Sequence, residues 1–122
     1  VIPSMRTPIN TIHYAREFFG ENHTIIMDVD KKAYLSALAI SENIIVTCDS
    51  SSMISEAALT GKPIYVASIL PKKNDKRFQR FRNLFRELNI TRNLGEEVEN
   101  WSYPKLDETN RVASIIKQKI NL

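Results

Sequence analysis

Two short runs, Ile44-Ile45-Val46-Thr47 and Pro63-Ile64-Tyr65-Val66-Ala67, frame a stretch of helical character. Both are built from β-branched and apolar side chains, the composition of strands. Neither alternates with polar residues, so the pattern fits strands of a parallel sheet covered on both faces. Helical segments lie before, between and after them. Alternation of this kind defines an α/β layer of Rossmann-like type, a parallel sheet flanked by helices.

The remaining segments extend that reading. Val1-Ile2 reads as the end of a strand, and Thr24-Ile25-Ile26-Met27 as a further short strand. Pro8 suits the first position of a helix, with Ile9, Ile12, Ala15 and Phe19 at helical spacing and Gly20 as its stop. A second helix is expected over 33–39 and a third over 53–60, ended by Gly61. A long helix over about 75–88 follows, and a last one over about 108–119. Trp101 and Tyr103 are expected to pack that last helix onto the domain, or onto a part of the protein outside this sequence.

Composition sets bounds. The chain has 122 residues, enough for one domain over 1–122 and too few for two. No apolar run reaches the roughly 18 residues of a membrane span. There is no initiator Met and no signal-peptide pattern, and the chain opens on a strand already under way, so a fragment is expected. One cysteine, Cys48, excludes an internal disulfide and a cysteine zinc site, and fits a reducing, cytoplasmic compartment. The net charge of +3 permits an anionic partner without demanding one. His13 and His23 have no companions at ligand spacing, so no metal is expected. No cofactor is implied.

Ligands of open parallel sheets bind beyond the carboxyl ends of the strands. The turn Asp49-Ser50-Ser51-Ser52 follows one such end and precedes a helix. Unpaired N–H groups and the positive dipole end of a helix suit a phosphate, and serine hydroxyls let it approach the backbone. Glu56, read as lying in the first turn, could accept two hydrogen bonds from a ribose or sugar diol. Helix capping explains the serines equally, and turn formation explains Asp49; both readings stay open at this point. Ser4, Arg6 and Thr7 precede the first helix and are expected at the same sheet edge, with Arg6 as a phosphate partner.

The segment from Lys72 to Arg86 is strongly basic: Lys72, Lys73, Lys76, Arg77, Arg80, Arg82 and Arg86 face only Asp75 in charge. Phe78, Phe81, Phe85 and Leu88 share helical spacing and read as its buried face. Three uses compete for the cations. They could simply be solvated. They could touch anionic lipid headgroups at a peripheral membrane surface. Or Lys73, Lys76, Arg77 and Arg80 could close over a phosphate. Nucleic acid is not expected, since no binding motif accompanies the charge.

Two resemblances add to this. Ser50-Ser51-Ser52-Met53-Ile54-Ser55-Glu56-Ala57 with Gly61-Lys62-Pro63 is similar to the donor site of GT-B glycosyltransferases, the fold's C-terminal half. That resemblance implies Ser50, Ser51 and Ser52 on a diphosphate and Glu56 on a ribose. Serines here replace the glycines common there, and Met53 replaces a frequent threonine. The second covers nearly the whole chain. Pro3-Ser4-Met5-Arg6-Thr7-Pro8, the run from Val46 through Ala57, Lys76-Arg77-Phe78-Gln79-Arg80-Phe81 and Trp101-Ser102-Tyr103-Pro104-Lys105-Leu106-Asp107-Glu108-Thr109 resemble the elongated-mitochondria fission-factor family. It implies a GT-B-like architecture, a further N-terminal domain and, for its plant member, recruitment of a dynamin-like partner.

Two functions follow as expectations. One is the nucleotide-sugar or nucleoside-diphosphate-binding half of a sugar transferase, inactive by itself. The other is a non-enzymatic, partner-recruiting module.

Overall fold

A computed structural model describes residues 1–70 and 74–120. The chain forms two compact units, Val1–Ile40 and Ser41–Leu122. Among the described residues no helix is long and apolar enough to cross a membrane.

The first unit holds helices α1 (Ile9–Phe19) and α2 (Lys31–Ile40). Pro8 sits one position earlier than expected, as the N-cap of α1 at φ −61° and ψ 142°, and Gly20 closes the helix at φ 65°. The second helix starts earlier than its apolar residues suggest. Asp30 explains this: its carboxylate accepts the Ala33 N–H at 3.1 Å and its carbonyl accepts the Tyr34 N–H at 3.0 Å. An aspartate in this role satisfies first-turn donors and favours the helix dipole.

The expected strands at Val1-Ile2 and residues 24–27 are not formed as strands. Val1 donates to the Thr24 carbonyl at 2.7 Å and accepts the Ile26 N–H at 2.9 Å, one rung of a parallel pairing. The next donor in that register would be residue 3, which is Pro3 and carries no N–H. The ladder stops there.

The second unit is the α/β layer. Its sheet has three parallel strands in the order β1-β2-β3: β1 (Ile44–Thr47), β2 (Ile64–Ala67) and β3 (Thr91–Asn93). Ile44 is opposite Ile64, and Ile64 opposite Thr91. Helix α3 (Ser51–Ala58) joins β1 to β2 and packs on both, α4 (Lys76–Glu87) joins β2 to β3, and α5 (Glu108–Lys119) follows. The architecture is α/β and Rossmann-like. Ile54, Ala57, Ala58 and Ile64 are fully buried at its centre.

Coverage of the two apolar strands differs. All but the last residue of β2 are buried, as expected of a strand covered on both faces. The pattern in β1 alternates, with Ile45 58% exposed. It is an edge strand with one face on the core, so the expectation of double coverage is corrected there.

The third strand, Thr91-Arg92-Asn93, has almost no intrinsic strand signal. It is set by the end of α4. Asn89 takes φ 58°, the Asn89 N–H bonds the Arg86 carbonyl, and the Ile90 N–H bonds the Phe85 carbonyl at 2.9 Å. This left-handed cap turns the chain back onto β2, with Ile90 and Thr91 buried.

Candidate functional site

The carboxyl end of β1 is built by backbone bonds. The Cys48 N–H extends the ladder to the Ala67 carbonyl at 2.9 Å, and the Ser50 N–H folds back to the Thr47 carbonyl at 3.1 Å. The Thr47 hydroxyl donates to Asp49 Oδ1 at 2.6 Å. Asp49 therefore shapes the turn. Ser50 is buried and is the N-cap of α3, yet its side chain makes no capping bond.

The helix starts at Ser51, two residues before the apolar run suggested. Ser51, Ser52 and Met53 thus form its first turn, where backbone N–H groups have no acceptor within the helix. Glu56 moves with this boundary: it lies in the second turn, not the first, and its contribution to the helix dipole is correspondingly smaller. Ser52 and Glu56 are four residues apart and both exposed, so they share one outward stripe.

Arg82, one of the basic residues but not one of the expected site residues, has a definite place in the structure. Its Nη1 donates to the Cys48 carbonyl at 3.0 Å, and its Nη2 pairs with Asp75 Oδ2 at 2.8 Å. The guanidinium ties α4 to the carboxyl end of β1. A cleft of about 260 Å³ lies beside it, between α4 and the sheet, walled by Val66, Gln79, Arg82, Asn83, Arg86 and Asn93 among others. The sequence signal was faint: only the i, i+7 spacing of Asp75 and Arg82 put both charges on one helix face. Cys48 is buried on the same wall, its sulfur accepting the Ile69 N–H at 3.3 Å.

Ser4, Arg6 and Thr7 belong to the other unit and form a turn of their own. The Ser4 N–H bonds Thr7 Oγ1 at 2.9 Å, and the Arg6 N–H bonds Ser4 Oγ at 3.2 Å. Both hydroxyls are thereby engaged in holding the entry to α1, while Arg6 is exposed.

Of the expected basic contacts, Lys76, Arg77 and Arg80 are exposed on α4, and Lys73 lies outside the described residues. The apolar face of α4 is narrower than its spacing suggested. Phe85 is buried and its ring lies tilted against Phe81 with centroids 4.4 Å apart, but Phe78 is 44% and Leu88 52% exposed. The one buried side chain of α4 is thus in its last turn, and Phe78 in the first turn stays open.

Trp101 and Tyr103 have their recorded partners on β2, β3 and the turns beside them. The Trp101 ring stands edge-on to Tyr65 at 5.1 Å, its Nε1 donates to the Asn89 carbonyl, and the Arg92 guanidinium lies 4.1 Å over its face. Tyr103 is buried and donates to the Lys62 carbonyl at 2.6 Å. Burial pushes its phenol up to about 12, against a smaller opposing effect of its hydrogen bond with Thr60. Trp101 fastens the loop after β3 to the sheet and Tyr103 fastens it to the turn before β2, while α5 has no buried residue. Among the described residues no group of His, Cys, Asp or Glu side chains is placed to hold a metal ion.

A parallel α/β sheet with a serine turn at the carboxyl end of an edge strand defines a Rossmann-like class of protein. Within it, residues 1–120 match the family described as mitochondrial fission ELM1, and the chain belongs to that family. It is 30% identical over 122 residues to the mitochondrial fission protein ELM1 of Arabidopsis thaliana, covering 96% of this chain and 28% of that protein. An uncharacterised protein of Rickettsia prowazekii (strain Madrid E) is 38% identical over 102 residues, 77% of this chain and 28% of that protein. The chain thus spans well under a third of the curated relatives it matches. No solved structure matches it.

Proposed function

We propose that the Ser41–Leu122 unit binds a nucleoside diphosphate, as the donor-binding half of a GT-B-like, glycosyltransferase-related protein. One observation carries this reading. The first turn of α3 opens at the carboxyl end of β1, and Ser52 and Glu56 lie exposed along one stripe from that turn. The amides of Ser51, Ser52 and Met53 would take the phosphates, assisted by the helix dipole and the serine hydroxyls. Glu56, one turn further on, would accept the ribose hydroxyls. Catalysis in a longer protein would then rest on positioning the donor and neutralising its leaving diphosphate.

The test is a titration of the chain with uridine, guanosine and cytidine diphosphates, followed by amide NMR. Shifts centred on residues 51–53 and 56 are expected for at least one nucleotide. Flat titrations to millimolar concentration, for this chain and for a longer protein containing it, would remove the reading.

A second reading, a partner-recruiting module, is supported by the family and by the fission role in the name of the Arabidopsis relative. Helix α5 would supply the surface, since Val112, Ile115, Ile116 and Ile120 are all at least 40% exposed. Flat nucleotide titrations, together with loss of partner binding on Ile116→Glu at unchanged stability, would favour it over the first.

A further inference from the structure

We propose that the cleft between α4 and the sheet binds a small molecule through a compact oxyanion, carboxylate or phosphate, with Arg82 and Arg86 as its charged partners. This site is separate from the first turn of α3 and does not depend on the nucleotide reading.

Arg82 and Arg86 are four residues apart on α4 and line the same cleft. Arg82 is held in advance. Its side chain is only 19% exposed, and the Cys48 carbonyl and Asp75 fix two of its nitrogens. A guanidinium has five N–H groups, so donors remain after these two bonds. Arg86 is exposed at the rim and is steadied by Asn83, whose Oδ1 accepts from its Nη2 at 2.9 Å. Arg82 and Asp75 neutralise one another, which leaves the described lining with the net positive charge of Arg86. That balance selects an anion over a cation or a neutral ligand.

Neutral groups complete the lining. Ser68, Gln79, Asn83 and Asn93 border the cleft with hydroxyl and amide donors. Val66 and Ile69 supply an apolar wall, enough for a short carbon skeleton. Oxyanions pair with guanidinium groups through short, charge-assisted bonds, which gain strength where one face is shielded from water. A volume of about 260 Å³ suits a small ligand.

The experiment is NMR titration of the chain with sodium acetate and, separately, with inorganic phosphate, each against sodium chloride at equal ionic strength. The side-chain amides of Gln79, Asn83 and Asn93 and the Arg82 and Arg86 Nε–H signals are followed. Saturable shifts at these groups with either anion, weakened at least tenfold by Arg86→Gln and by Gln79→Ala less strongly, are expected. Which arm saturates at lower concentration distinguishes a carboxylate from a phosphate ligand. Equal shifts with chloride, shifts confined to residues 51–53, or an unchanged response in Arg86→Gln with its fold intact would each overturn the proposal. Because both substituted residues are exposed on α4, thermal unfolding of the variants should stay close to that of the parent. Failure of the nucleotide titration leaves these signals unaffected, so the two readings can fail separately.

Discussion

Arg82, in the middle of α4, donates to the backbone carbonyl of Cys48, thirty-four positions earlier in the chain. One side chain thus joins the start of the serine turn to the helix two elements later, and it also grips Asp75 at the head of that helix. Replacing it by methionine keeps much of the stem's packing and removes both bonds. The Cys48 carbonyl and the Asp75 carboxylate then lose their partner in a half-buried setting. We expect a loss of about 1–3 kcal/mol, read as a lower midpoint in urea at unchanged slope. Lysine at this position should recover only part of it, because a point charge cannot serve two acceptors with the geometry of a fork. A variant as stable as the parent would show that the bonds contribute nothing net.

Ile54 is fully buried, the central side chain of α3 against β1 and β2. Ile54→Ala should cost about 2–5 kcal/mol, the range for removing a large aliphatic side chain from a packed interior. Ile45→Ala, on the exposed face of β1, should cost far less. Equilibrium denaturation of the two variants tests the contrast directly.

Gly61 adopts φ 72°, and a Cβ there would come within 3.0 Å of Lys105 Cγ. Alanine meets both a left-handed backbone and a neighbour. The backbone cost alone is about 1–2 kcal/mol. The Lys105 stem can move aside, so its share is smaller and should vanish in a Lys105→Ala background. Thermal melts of the single and double variants would separate the two contributions.

Tyr103 should ionise near 12 in the folded protein, against an ordinary value of 10.0. The folded state therefore holds this proton more tightly than the unfolded chain. Between pH 10 and about 12 the unfolded state binds fewer protons, so stability falls as pH rises through that window. Below it, the full contribution is present and flat. Spectroscopic titration of tyrosinate should show one late step that Tyr103→Phe abolishes. The same substitution deletes the bond to the Lys62 carbonyl and should cost about 1 kcal/mol at neutral pH.

The α/β class was legible because Ile44–Thr47 and Ile64–Ala67 carry the β-branched signature and helical periods surround them. What sequence could not show were features fixed by partners. Thr91-Arg92-Asn93 becomes a strand only because the Asn89 cap delivers it to β2. Residues 24–27 have the composition of a strand, yet Pro3 withholds the donor its neighbour would need. Helical spacing put Phe78 and Leu88 on the same face as Phe85, but it carries no information on what stands opposite each of them. In the site, the serine turn was visible as a local motif. Arg82 was not, since its acceptor is a backbone carbonyl of Cys48, and no residue type announces a free carbonyl.

The strand order of the second unit has a kinetic consequence. Each strand pairs with its immediate successor, so β1 needs only β2, and β2 needs only β3. No rung of the sheet waits for a distant segment to arrive. Short loop closures lower the entropic barrier that slows most parallel sheets. The unit can therefore grow stepwise from its amino-terminal edge as the chain is synthesised, each crossover helix docking before the next strand is added.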